Sequence, residues 1–152
     1  MFEVIQNMPG YEGSFIIFAA EFFNKKLTVY EVAKGGALVN SRVIDSTLDQ
    51  AYSVKYVDIK GNGKMELLVN NHETDNSKAA IFLYAVPADL FNGTFPRQTI
   101  ASGFKNAFSF LIPNMCPGFP YVVYPKTGAP AHILVAGDGD YSAHILRPTT
   151  EP

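Results

Sequence analysis

Short apolar runs recur along this chain with the same neighbours each time, and that repetition limits its fold more than any other feature. Residues 15–20, 66–71 and 132–137 are strand-like runs that each end in small or polar residues. A turn and a second run follow each of them, at 27–30, 81–84 and 143–146. The starts of the second runs are about 54 and 62 residues apart. Another strand-like run precedes each pair, at 2–5, 53–57 and 119–124. A fourth run follows twice, at 38–44 and 97–100, where polar and apolar residues alternate as in a strand with one wet face. In the third copy the fourth run falls due at residues 149–152, so the strand count is four, four and three.

This period suits four-stranded blades with long loops, and the expected fold is all-β, an incomplete β-propeller of about three blades of antiparallel strands. The approximate blade boundaries are 1–48, 49–106 and 107–152, in a single propeller segment. Composition agrees: 12 Phe and 8 Tyr without Trp, together with 12 Gly and 10 Pro, favour strands and tight turns over helices. A blade buries its faces against its neighbours, and a propeller typically closes with about four to eight blades. The chain is therefore expected to need further blades, from a longer chain or from other copies of itself.

At Val57-Asp58-Ile59-Lys60-Gly61-Asn62-Gly63-Lys64-Met65-Glu66, an acidic, glycine-rich stretch joins the runs 53–57 and 66–71 of the middle copy. The segment resembles the FG-GAP and VCBS repeats, the blade units of integrin-alpha-like propellers. That resemblance implies a calcium-binding loop with ligands at alternate positions, here the side chains of Asp58, Asn62 and Glu66 and the carbonyl of Lys64. Such spacing suits Ca²⁺, which takes about six to eight hard oxygen ligands gathered by a flexible turn. Lys60 departs from the pattern, standing where the family usually has Asp or Asn. It removes one ligand and adds a positive charge beside Asp58 and Glu66, so a metal-free turn held by the ammonium competes with the calcium reading. The matching loops of the other copies, 6–13 and 125–130, lack these acids.

The connection between the runs 66–71 and 81–84 of the middle copy is polar, and His72, Glu73 and Asp75 are its candidate ligand-binding residues. Gly137-Asp138-Gly139-Asp140 also looks like a metal loop, but its place between two paired runs calls for a hairpin turn, which Asp-Gly favours. His132 and His144 fall on neighbouring runs of that hairpin and could face each other across it. No Ser-His-Asp order, nucleophile elbow, phosphate loop or HExxH-type spacing is present, and no catalytic residue is assigned. The aromatic stretch 104–110 reads as blade packing, and Cys116, the single cysteine, reads as a small core hydrophobe.

Twelve Lys and Arg against 14 Asp and Glu give a formal net charge of -2, which leaves no basic footprint for nucleic acid or an anionic membrane. The first residues carry no signal-peptide pattern and no run is long and apolar enough to span a bilayer. An extracellular location stays open if the chain is an excised segment. Two function classes are expected. One is a non-catalytic binding or assembly module for a protein or carbohydrate ligand. The other is a fragment or protomer of a propeller enzyme acting on polysaccharide, a lyase or hydrolase with its catalytic residues elsewhere.

Overall fold

The computed structural model describes residues 1–72, 78–104, 117–137 and 142–147. Eleven strands and no helix form among them. The first sheet is β1 (Phe2–Gln6), β2 (Ser14–Glu21), β3 (Lys26–Ala33) and β4 (Leu38–Asp45), hydrogen-bonded in chain order. The second is β5 (Gln50–Val57), β6 (Glu66–His72), β7 (Ala80–Ala85) and β8 (Arg97–Ser102), again in chain order. The third is β9 (Tyr121–Val123), β10 (His132–Gly137) and β11 (Ser142–Leu146). Every pairing is antiparallel, and the count of four, four and three matches the repeats read from the sequence.

The second sheet lies between the other two, and its strands show why a run of uninterrupted apolar residues forms there. Side chains alternate across a strand, so a strand covered on both sides must be apolar at every position. On β7, Ala80, Phe82 and Tyr84 pack into one core with Ile16, Phe18 and Val29 of the first sheet. The intervening Ile81 and Leu83 pack into a second core with Ile133 and Val135 of the third. β6 divides in the same way, with Leu67 and Val69 in the first core and Leu68 in the second, and all seven of its residues are buried.

The outer faces of the stack are apolar as well. On β2, Ile16, Phe18 and Ala20 are buried against the second sheet while Phe15, Ile17 and Ala19 point away from it. Their cross-strand partners continue that outer face, with Phe2 and Val4 from β1 and Tyr30 and Val32 from β3. Phe2 is 66% exposed and Val4 44%. On the third sheet Leu134 faces Tyr121 on one side and Ile145 on the other, and all three are exposed. Large apolar residues are thus exposed on both outer faces.

Candidate functional site

The acidic loop, residues 58–65, is folded around its own side chains. Both Asp58 oxygens accept backbone hydrogen bonds, Oδ1 from the Asn62 amide at 3.1 Å and Oδ2 from the Gly63 amide at 2.7 Å. Asn62 Oδ1 accepts from the Lys64 amide at 3.0 Å, and the buried Glu66 accepts from the Ile59 amide through Oε2 at 3.0 Å. The other Glu66 oxygen pairs with the Lys60 ammonium at 3.1 Å, although Lys60 itself is largely exposed. Gly61 and Gly63 both have positive φ, at 68° and 80°. A Cβ on Gly61 would stand 2.7 Å from the Ala129 backbone, so glycine is required there by close approach as well as by conformation.

In this arrangement the Lys60 ammonium competes with calcium for Glu66. Each side-chain oxygen the resemblance nominates already takes a backbone amide or an ammonium, and Lys60 brings its positive charge to the place a cation would serve. Among the described residues no group of three or more His, Cys, Asp or Glu side chains is placed to hold a metal. The loop instead braces the second sheet against the third: the Ala131 amide donates to the Ile59 carbonyl at 2.8 Å. Nearby, partial burial and then the negative charge of Asp58 push the Tyr124 phenol above its ordinary range.

The far end of β6 holds a polar group that sequence reasoning treated only as the end of a run. Asn70 is fully buried, and its Nδ2 donates to the carbonyls of Pro117 at 2.7 Å and Gly118 at 3.2 Å, while its Oδ1 accepts from the Ser53 hydroxyl. Asn71 donates to the carbonyls of Leu48 at 2.9 Å and Lys78 at 3.2 Å and accepts from the Ala80 amide at 2.8 Å. His72 is buried, with Nε2 3.1 Å from the Pro117 carbonyl and its ring stacked on Tyr52 at 3.8 Å. The structure thus uses His72 as a packing and bridging residue, whereas Glu73 and Asp75 lie outside the described residues. So do Asp138, Gly139 and Asp140, residues 105–110 and Cys116. Phe104 is described and buried, its ring edge-on to His144 at 5.6 Å.

The expectation that His132 and His144 could face each other is corrected by the register. His144 pairs with Val135 on the face turned to the second sheet, while His132 pairs with Val123 on the outer face.

A third polar group joins the first and second sheets. The Asp45 carboxylate accepts from the Tyr84 hydroxyl at 2.8 Å, the Arg97 guanidinium at 2.9 Å, and both the amide and hydroxyl of Thr47 at 2.7 Å. Burial pushes the Asp45 carboxyl up, but these donors together hold it below its ordinary value.

A cavity of about 460 Å³ opens between the second and third sheets, beside Lys60 and under the end of β11. Its walls are mainly apolar, from Leu83, Ile100, Ile133 and Leu146, and Thr99 and Arg147 stand among its polar residues. No single run in the sequence signals it, because its walls come from strands of two different sheets.

No family model, curated protein or solved structure matches this chain. The likeness to FG-GAP and VCBS repeats therefore rests on its own residues and strand rhythm.

Proposed function

We propose that the chain is a run of β-propeller blades of the FG-GAP and VCBS type, serving as a non-catalytic binding or assembly module for a protein or carbohydrate ligand. The observation that carries this reading is the pattern of three consecutive antiparallel meanders stacked face to face, with apolar residues on both outer faces. Propeller blades need such faces because each blade is covered by the next. The partners are further blades, from a longer chain or from other copies. The polar residues of the three sheets support the non-catalytic part of the reading. Asp45, Asn70, Asn71, His72 and Glu66 make hydrogen bonds and packing contacts that join strands or sheets, as structural polar residues do.

A glycan array and a protein-interaction screen, run together with polysaccharide lyase and hydrolase assays on the assembled protein, test the reading. Saturable binding without turnover is expected. Cleavage of any polysaccharide that depends on residues of this chain overturns it.

A further inference from the structure

We propose that the cavity between the second and third sheets binds a small amphiphilic carboxylate, with its apolar chain against Leu83 and Ile133 and its charged head at Arg147 and Lys60.

The register that builds the second core also builds this cavity. Side chains alternate across a strand, and paired residues of neighbouring strands share a face. Leu83 of β7 packs toward the third sheet, and its partner Gln98 on β8 stands on that same face. Ile133 of β10 and its partner Leu146 on β11 supply the opposite wall. At about 460 Å³ the space falls within the roughly 300–1,000 Å³ of sites that take small ligands.

The lining is graded from apolar and buried to charged and exposed. Leu83 and Ile133 are 7% and 3% exposed, whereas Gln98, Lys60 and Arg147 are open to solvent. Water against the apolar walls lacks hydrogen-bond partners, so an alkyl chain that displaces it gains the free energy of apolar burial. The sign of the head follows from the same lining, which among the described residues includes the cations Lys60 and Arg147 and no carboxylate. A guanidinium offers a carboxylate two parallel N–H donors. An ammonium has three donors, and Lys60 directs one of them at Glu66 Oε1, 3.1 Å away. Because both cations stand at the exposed end, the bound carboxylate keeps part of its hydration and its desolvation costs little. The ligand lies between two sheets and leaves both outer faces untouched, so its binding is compatible with cover by further blades.

Calorimetric titration of the full chain with decanoate tests the site. Saturation near one decanoate per chain is expected, with the negative heat-capacity change of apolar burial. Butyrate keeps the head without the long chain, and decyltrimethylammonium keeps the chain with the opposite charge. Each should bind at least about tenfold more weakly than decanoate. Gln98→Trp, which narrows the cavity from its exposed rim, and Arg147→Glu should each weaken decanoate by about tenfold or more. Circular dichroism checks the fold of both variants, and if the tryptophan variant does not fold, Arg147→Glu carries the comparison alone. Absence of saturable decanoate binding to the folded chain overturns the proposal. Decyltrimethylammonium that binds as tightly as decanoate also overturns it, because the two cations would then play no part. So does binding of several decanoates per chain that is indifferent to Arg147→Glu, which would assign them to the exposed apolar outer faces.

Discussion

Replacing Asn70 with alanine tests whether the end of β6 ties the second sheet to the segment leading into the third. The side chain is fully buried and its loss changes three partners. The Ser53 hydroxyl loses its acceptor and the Gly118 carbonyl loses its donor, whereas the Pro117 carbonyl keeps His72 Nε2 at 3.1 Å. Each buried polar group left unpaired costs about 1–3 kcal/mol. With two such groups, Asn70→Ala is expected to cost about 3 kcal/mol. For a chain of this length that corresponds to a fall of roughly 6–12 °C in melting temperature. Urea unfolding followed by circular dichroism measures it, with the midpoint moving down by about 1.5 M for a slope near 2 kcal/mol per molar. Adding Ser53→Ala removes one of the orphaned groups, so the double variant should be less destabilised than the two single effects suggest, by about 1 kcal/mol. Asn70→Asp aims carboxylate lone pairs at two carbonyl oxygens and should be less stable near neutral pH than at about pH 4, where the neutral acid can donate. A loss below about 0.5 kcal/mol for Asn70→Ala would refute the bracing role.

Asp45→Asn should cost about 1–2 kcal/mol at neutral pH, discounted because Arg97 is partly exposed. Because the folded-state carboxyl is held low, its contribution is present above about pH 4 and is lost as pH falls through the folded value, so wild type and variant should converge in acid unfolding curves. Leu68→Ala, which empties part of the core shared by the second and third sheets, should cost about 3 kcal/mol in chemical denaturation. Calorimetric titration of calcium should give no saturable heat with the wild-type chain, whereas Lys60→Asp, which removes the ammonium and restores a loop carboxylate, should gain a site. A wild-type stoichiometry near one would show that calcium displaces the Lys60 pairing.

The strands were legible in the sequence where burial on both faces leaves an unbroken apolar run, as on β7, or where outward polar residues alternate, as on β4. Boundaries were less legible. β9 is only Tyr121–Val123 rather than the six residues of the apolar run, and Pro120, which has no amide to donate, stands just before it. β5 begins at Gln50, three residues before its apolar run, and a register shift between Ala51 and Ser53 breaks the period there. Lys60 as the partner of Glu66 could be foreseen because the loop is local and its charges are close in sequence. Asn70 could not, since its carbonyl partners lie 47 and 48 residues away and polar side chains at a strand end look like any exit to a turn. The separation of His132 and His144 was equally hidden, because it depends on a one-residue choice of register that flips every side chain to the other face. The cavity depends on how two sheets stack, which no local pattern encodes.

The central claim is that these sheets are propeller blades whose outer faces require cover, and light scattering of the isolated chain across a concentration series tests it most directly. The account predicts self-association to a mass well above the 16.7 kDa of one chain, reduced when Ile17→Lys and Leu134→Lys place charge on the two outer faces. A wild-type chain that stays at 16.7 kDa and unfolds cooperatively as a stable monomer would contradict it.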